Sequence, residues 1–380
     1  MNNTTSAASA TMSMMPPTSG NMTRRSSYHA VVDASHEGAA GVRVNGKPCF
    51  RTLTAALNAA PADGKTAHVI FIRAGRYHEK IVVTKPHITL VGEDRDSTLL
   101  TFNDYSGIKD SKGNSIGTWR CATLIVRAPD FSAENLTVEN AFDYLANDAK
   151  DDTDPTRTSE PQAVALMTDH GADRTFLHSV RLSGYQDTLF TLAGRTLIDK
   201  SIIAGNIDFI FGAGQTLIIR SEIVTRPRGR DTQGEPVAYI TAPSTPLVAP
   251  HGLVIMNSRL VRESDRVPPR SCPLGRPWHP TTTFPDGRYA DPNAVGAAVF
   301  LNCWMDDHIT EAGWDKMHGT SRTPGEKDWF YPDNPAHARF AEYGSSGPGA
   351  QINASRKQLS AEEIRGYTVD SLLHGWNPQR

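Results

Sequence analysis

The chain has 380 residues, and its 39 Lys and Arg residues nearly balance its 41 Asp and Glu residues, which gives a formal net charge of −2. This balance argues against a protein whose main task is to bind a nucleic-acid backbone, because that task needs clustered positive charge. A hydrophobic fraction of 38% with 21% charged residues is typical of a globular protein. No apolar run is long enough to cross a bilayer as a helix, so we expect neither a nucleic-acid partner nor a membrane span.

Residues 1–27 are rich in Ser, Thr, Asn and Met and lack the apolar stretch of a secretory signal. We interpret them as a disordered leader that precedes a single domain over residues 28–380.

The cysteines and histidines indicate no metal site. Cys49, Cys121, Cys272 and Cys303 are far apart in sequence and form no CxxC motif, so we expect isolated buried thiols. The histidines form no HExxH motif. The sequence therefore predicts no bound metal.

The first predicted element is a helix over residues 50–60, with Phe50, Leu53 and Leu57 on one face. After this helix, short apolar runs alternate with Gly, Asp and Asn turns, which predicts strands of about four to six residues. Such runs occur at residues 68–72, 80–83, 87–91, 122–126 and 135–138. No convincing helix separates them, which argues against a doubly wound α/β sheet.

The chain contains an internal repeat of about 21 residues. Residues 184–190 align with residues 205–211 at a shift of 21, and residues 196–203 align with residues 216–223 at a shift of 20 to 21. Residues 135–138 resemble residues 179–182 at a shift of 44, about twice the period, and we interpret the acidic segment 142–160 as a loop inserted in one repeat.

This period, with three short strands in each, is typical of an all-β fold, the single-stranded right-handed parallel β-helix. A β-propeller would have periods of about 40–50 residues. We expect short capping helices at both ends: residues 50–60 over the first coil, and residues 359–365 over the last. Ser360 and Glu363 are placed to form a capping box in the second of these.

The repeat brings two acids together. Asp187 and Asp208 are 21 residues apart, so they should lie on one face of neighbouring coils, about 4.7–4.9 Å apart at the backbone. Two carboxyls this close titrate unequally, which would leave a protonated acid beside an ionised base or nucleophile. The alternative is that both are turn residues that hydrogen-bond local backbone.

Polar and aromatic neighbours strengthen the first alternative. Gln186 and Gln162 carry amides that can donate to a developing oxyanion, although either glutamine alone would suit the surface. Arg276 can hold one carboxylate ionised and oriented. Trp278 can stack on a sugar ring or cover the core.

Five motifs in order resemble the pectin methylesterase (pectinesterase) family, and especially its bacterial plant-pathogen branch. They lie at residues 75–79, 162–166, 184–189, 205–212 and 274–278, and the similarity runs from about Tyr28 to the C-terminus. The sequence departs from the family at Ile207, where Val is usual. Lys200 and Arg220 stand near positions where some members have cysteines, so that disulfide is absent.

The resemblance implies a role for each site residue. Asp208 would be the nucleophile on the C6 methyl ester of a galacturonate, and Asp187 would protonate methanol and then activate water. Gln186 and Gln162 would stabilise the oxyanion, and Arg276 would hydrogen-bond Asp208. The residues expected to contact substrate along the cleft are Trp278, Phe211, Tyr239, Phe190 and Met317. Arg228 would face free carboxylates of the polymer, or it lies in a solvated turn.

The activity implied is demethylation of pectin, a methylesterified homogalacturonan, by a secreted enzyme that needs no metal or organic cofactor and acts as a monomer. One alternative is a pectin-cleaving β-helix hydrolase or a calcium-dependent lyase, for which the acidic residues 148–154 are the only candidate metal ligands. Another is a non-catalytic polysaccharide-binding β-helix. The GxSxG match at residues 113–117 lacks the strand and helix of a nucleophile elbow, so we interpret it as coincidence.

Overall fold

The computed structural model describes residues 28–379, so the predicted leader lies outside the described residues. Short helices are α1 (Leu53–Ala59), α2 (Tyr144–Asp148) and α3 (Val369–Leu372), and 3₁₀ turns lie at Thr118–Arg120 and Glu363–Gly366. No helix within residues 28–379 is long and apolar enough to span a membrane.

Strands make up most of the regular structure. The first eleven are β1 (Ala30–Val32), β2 (Arg43–Val44), β3 (Lys47–Phe50), β4 (His68–Ile72), β5 (Gly75–His78), β6 (Ile81–Val83), β7 (Ile88–Gly92), β8 (Thr98–Phe102), β9 (Leu124–Val126), β10 (Ser132–Glu134) and β11 (Thr137–Asn140). The next ten are β12 (Leu166–Thr168), β13 (Thr175–His178), β14 (Arg181–Ser183), β15 (Leu189–Thr191), β16 (Arg195–Asp199), β17 (Ile202–Gly205), β18 (Ile210–Gly212), β19 (Gln215–Ile219), β20 (Glu222–Thr225) and β21 (Thr241–Pro243). The last ten are β22 (Thr245–Pro246), β23 (Leu253–Met256), β24 (Arg259–Arg262), β25 (Thr281–Phe284), β26 (Gly287–Ala290), β27 (Ala294–Leu301), β28 (Trp304–Met305), β29 (Met317–Thr320), β30 (Lys327–Phe330) and β31 (Ala338–Tyr343).

Three long sheets wrap around one apolar core. The first sheet has the order β2-β3-β1-β4-β7-β10-β13-β16-β19-β23-β27, with β22 and β31 both paired to β27. The second has the order β28-β24-β20-β17-β14-β11-β8-β5, and the third has the order β21-β18-β15-β12-β9-β6. Successive strands enter different sheets, and neighbours within a sheet are almost all parallel and one coil apart. The predicted parallel β-helix is confirmed.

The strand register reproduces the repeat. Phe190 is opposite Phe211 across β15 and β18, a shift of 21, and Thr196 is opposite Thr216 across β16 and β19, a shift of 20. The shift of 44 also joins direct neighbours, since Ala133 is opposite Leu177. One coil is therefore enlarged by the insertion, and the inserted segment contains the helix α2 as well as loop.

The first coil is closed as predicted. Leu53, Ala56 and Leu57 of α1 are buried in the main core. The Glu79 carboxylate accepts hydrogen bonds from the backbone N–H groups of Leu53 (2.8 Å) and Thr54 (2.9 Å), which satisfies two donors at the start of the helix.

The prediction for the far end is wrong in its location. Ser360 and Glu363 exchange the two hydrogen bonds of a capping box, at 2.7 and 3.2 Å, but they do so around a 3₁₀ turn. Leu359 and the helix α3 pack against the outward side of the first sheet, because apolar residues there need cover. The core ends instead near Trp314 stacked on Phe340, beside a buried ion pair between Arg356 and Glu342 at 2.6 Å.

Candidate active site

Two corners of successive coils carry the acids. Asp187 precedes β15 and Asp208 precedes β18, and both have left-handed backbone, with φ of 66° and 50°. Aspartate is one of the few residues other than glycine that adopt this conformation readily. The backbone N–H of Asp187 donates to the carbonyl of Ile207 at 3.0 Å, which ties one corner to the next. Each acid is only 7% exposed, so the repeat places two buried carboxyls side by side.

A single arginine orients one of these acids. The Nε and Nη2 atoms of Arg276 donate to the two oxygens of Asp208 at 2.8 and 2.7 Å. The guanidinium lies 3.9 Å from the centre of the Tyr239 ring, and the Tyr239 hydroxyl donates to Asp315 at 3.1 Å. This bidentate, charge-assisted pair fixes the orientation of the Asp208 side chain.

The second acid has the opposite electrostatic environment. Burial raises the pKa of Asp187 well above its usual value, the negative charge of Asp208 raises it further, and Arg276 only partly offsets them. Burial alone would lower the pKa of Arg276, but the charge and hydrogen bonds of Asp208 raise it, so the guanidinium stays charged. The site therefore holds a carboxyl with a raised pKa beside a carboxyl group that Arg276 orients.

Both acids open into a cavity of about 290 Å³. The five residues predicted to be catalytic all line it: Gln162, Gln186, Asp187, Asp208 and Arg276. Within residues 28–379 neither glutamine side chain hydrogen-bonds another residue, and Gln162 Oε1 is buried without a partner. The amides are therefore available to a ligand in the cavity.

Sequence and structural comparisons place the chain in a family. The pectinesterase family profile matches residues 39–376. Pectinesterase A of Dickeya chrysanthemi is 43% identical over 351 residues, which cover 92% of each chain. A pectin methylesterase solved in complex with a hexasaccharide matches with a TM-score of 0.86 at 42% identity, over 93% of this chain and 99% of that one. A pectin methylesterase from Yersinia enterocolitica matches with a TM-score of 0.80 at 46% identity, over 86% of this chain and 99% of that one.

The chain belongs to the pectinesterase family. Pectinesterases are carboxylic ester hydrolases, so the enzyme class implied by the five motifs is confirmed.

The predicted substrate contacts of this pectinesterase divide into two groups. Trp278, Phe211 and Met317 line the cavity. Phe190 is fully buried beneath it, with its ring stacked on that of Phe211 at 4.2 Å. Tyr239 lies behind Arg276. These last two residues support the cavity wall from behind.

The structure agrees with neither of the two alternatives predicted for Arg228. It lies outside the lining of the cavity, and its Nε and Nη2 atoms donate to Asp148 at 2.9 and 2.8 Å. Its side chain is 15% exposed, so it does not lie in a solvated turn either. The sequence could not reveal this pair, since its two members are 80 residues apart.

Three lining residues were missed by the sequence analysis: Thr118, Trp119 and Ala242. The strand register could have identified Ala242, because this residue is opposite Phe211 across β18 and β21. Thr118 and Trp119 lie on a 3₁₀ turn in a segment that has no repeat partner. Next to it, the GxSxG match at residues 113–117 has neither a strand before it nor an α-helix after it.

Proposed function

We propose that this pectinesterase hydrolyses the C6 methyl esters of polygalacturonate in pectin, with Asp208 as nucleophile and Asp187 as acid and then base. The observation that carries the proposal is that Asp187 and Asp208 lie side by side in different electrostatic environments. One buried carboxylate is paired with Arg276, and its neighbour has a raised pKa. A nucleophile must be ionised and a general acid must be protonated, and the two environments supply these states.

In the first step a carboxylate oxygen of Asp208 attacks the ester carbonyl carbon and forms a tetrahedral intermediate. Gln162 and Gln186 donate hydrogen bonds to its oxyanion. The bond to the methoxy oxygen then breaks, and the Asp187 proton goes to that oxygen, so methanol leaves. The products of this step are an acyl-enzyme anhydride on Asp208 and an ionised Asp187.

In the second step Asp187 takes a proton from water, and the hydroxide formed attacks the galacturonate carbonyl of the anhydride. The bond to Asp208 breaks and returns its carboxylate to the pairing with Arg276. The sugar acid then loses its proton to solvent. Asp187 is protonated again, so the site is ready for another ester.

The remaining features of the proposal follow from the substrate. Trp278, Phe211 and Met317 offer apolar walls to the sugar ring and the methyl group. Because pectin is a cell-wall polymer, we infer a secreted enzyme that acts outside the cell. We also propose that residues 28–380 form one catalytic domain, and that the protein acts as a monomer without a cofactor.

The alternative pectin-cleaving and binding functions have less support. Two acids of the insertion are already paired with arginines, Asp148 with Arg228 at 2.8 Å and Asp152 with Arg157 at 2.6 Å. The other two acids of residues 148–154, Asp151 and Asp154, accept hydrogen bonds from Thr153 and Thr156. This pairing weakens the insertion as a calcium site for a lyase. A protein that only bound polysaccharide would have no need for a protonated acid beside an oriented carboxylate.

Asp208→Ala tests the proposal. We expect methanol release from methylated pectin to fall by at least about 10³-fold, because the covalent step is lost. Asp130→Ala is a matched control, since Asp130 also has left-handed backbone (φ 59°) and accepts two hydrogen bonds from Arg174, both at 2.6 Å. Retained activity in Asp208→Ala would refute the nucleophile, and shortening of the polymer by the wild-type protein would favour a chain-cleaving enzyme.

A further inference from the structure

The helix α2 lies behind the corners that carry Asp187 and Asp208. It lies beside the residues just before each acid, which we call the lead-ins. The ring of Tyr144 stacks on that of Tyr185, with centroids 5.3 Å apart and planes at 8°. The side chain of Asn206 lies near the Tyr144 hydroxyl, where it partly offsets the rise in the pKa of Tyr144 that burial causes. Tyr185 and Asn206 each stand two residues before an acid, Asp187 and Asp208. One inserted side chain therefore contacts equivalent positions on both coils.

The two lead-ins are also bonded to each other and to the following loop. The backbone N–H of Asn206 donates to the carbonyl of Tyr185 at 3.0 Å. The side chain of Asn206 accepts from the backbone N–H of Ile207 at 2.6 Å and donates to the carbonyl of Pro227 at 3.2 Å. Asn206 is fully buried and Tyr144 is 2% exposed, so these contacts are shielded from water.

A second set of contacts fixes α2 in place. Besides the two hydrogen bonds from Arg228, the Asp148 carboxylate accepts one from the backbone N–H of Gly229 at 2.9 Å. A Cβ atom on Gly229 would lie 2.3 Å from the carbonyl oxygen of Leu145, so only glycine fits this close approach. The loop after β20 and the inserted helix are thus packed backbone to backbone.

We propose that α2 holds the two acids in position, and we call it the brace. The ion pair of Asp148 and Arg228, which we call the latch, holds α2 against the loop after β20. This inference rests on the proposed function. Neither Tyr144 nor Asp148 lines the cavity, so the brace acts through the corners and not on the substrate. Both acids hold left-handed backbone at a buried site. An error of about 1 Å in such a site lowers turnover by up to about 10²-fold.

The kinetic test compares Asp148→Asn and Arg228→Gln with the wild-type enzyme on methylated pectin. We expect each variant to lower kcat by about tenfold or more, with KM within about twofold. The double variant should be no worse than either single one, because both open the same latch. Asp152→Asn is the control, since Asp152 pairs with Arg230 and Arg157 on the exposed side of the same insertion.

A direct contact between Arg228 and the polymer gives a different result. It would raise KM in Arg228→Gln only, with Asp148→Asn unaffected and with additive effects in the double variant. That pattern overturns the brace. If a latch variant does not fold, Tyr144→Phe and Tyr144→Ala replace it. The phenylalanine keeps the stacking on Tyr185 and should retain more of kcat than the alanine; equal kcat in both and in the wild type also overturns the brace.

Hydrogen exchange measured by mass spectrometry gives a readout that does not depend on activity. Opening the latch should speed exchange in residues 183–190 and 204–211, and Asp152→Asn should leave both segments unchanged. Unchanged exchange in Asp148→Asn overturns the brace even if the activity of that variant falls. Absence of methanol release by the wild-type protein would instead contradict the proposed function, so the two failures are distinguishable.

Discussion

The β-helix has two outward-facing apolar rows, and different parts of the chain pack on them. On the first sheet a row crosses five neighbouring strands, and it consists of Leu197, Leu217, Val254, Val299 and Ala341. On the third sheet a similar row consists of Ile125, Met167, Phe190, Phe211 and Ala242. We call the first the covered row, because Leu359, Leu372 and Leu373 pack on it. We call the second the open row, because its last two members, Phe211 and Ala242, line the cavity.

The difference shows how one repeated fold supplies both stability and a site. Parallel strands that are buried on both faces are apolar throughout, so outward apolar residues need cover. The chain uses its C-terminal segment to cover the first row. On the open row pack Ile116, Leu192, Trp278 and the turn that carries Trp119, and the cavity lies beside Phe211 and Ala242. A cavity with apolar walls and a few polar groups is a typical binding site.

The largest expected effect is in the cavity beside the open row, from Asp187→Asn. Asparagine keeps the shape of the side chain but cannot give its proton to methanol, so we expect methanol release to fall by about 10³-fold or more. The same change should stabilise the fold at neutral pH. A carboxyl with a raised folded pKa binds its proton more tightly in the native state, so the wild-type protein loses stability as pH rises from the unfolded value of about 3.9 towards the folded one.

Thermal unfolding at a series of pH values checks this sign. The gain in Tm of Asp187→Asn over the wild type should be absent near pH 3, should grow above about pH 4, and should level off above the folded pKa. The wild-type activity should fall on the alkaline side, as Asp187 loses its proton. A constant difference in Tm across the whole range would contradict the raised pKa.

The covered row should show the reverse pattern, a loss of stability with unchanged chemistry. Leu373 is fully buried among the residues of this row. Leu373→Ala should lower the free energy of unfolding by about 2–5 kcal/mol, through lost burial and the cavity left behind. Because the row does not line the active-site cavity, kcat measured well below Tm should match the wild type.

Denaturant unfolding and methanol assays on the same preparation separate the two quantities. Val248→Ala is the control for loss of an apolar side chain, since Val248 is 94% exposed and should change neither quantity. If kcat of Leu373→Ala falls at temperatures where the protein is folded, the two rows are coupled and the comparison fails.

The pairing of neighbouring coils could be predicted from the sequence because the chain contains a repeat. A shift of 21 placed Asp187 beside Asp208, because each period returns the chain to the same face one strand away. The cap formed by α1 was predictable from its amphipathic pattern, and all four cysteines are free and buried as expected. Where the period holds, sequence distance converts directly into spatial position.

Residues outside the period could not be placed in this way. The partner of Arg228 lies in the insertion, 80 residues away, so no spacing argument joins them. The C-terminal segment carries a capping box, yet that motif fixes only local hydrogen bonds and not the surface on which the segment packs. Trp119 comes from a turn that reaches the cavity across the coils, and its polar surroundings in sequence gave no hydrophobic pattern.

Trp119 offers the smallest predicted effect and the sharpest test of the open row. It is 45% exposed, lines the cavity, and contacts the Phe190 ring edge-on at 5.4 Å. Trp119→Ala should raise KM for methylated pectin about three- to tenfold with little change in kcat, since an aromatic contact contributes about 1 kcal/mol and the ring has no role in the proposed chemical steps. Trp329→Ala is the control, because Trp329 is 43% exposed but does not line the cavity. If both variants raise KM equally, binding is a property of exposed aromatic surface in general; if only Trp119→Ala does, the polymer is held in the cavity beside the open row.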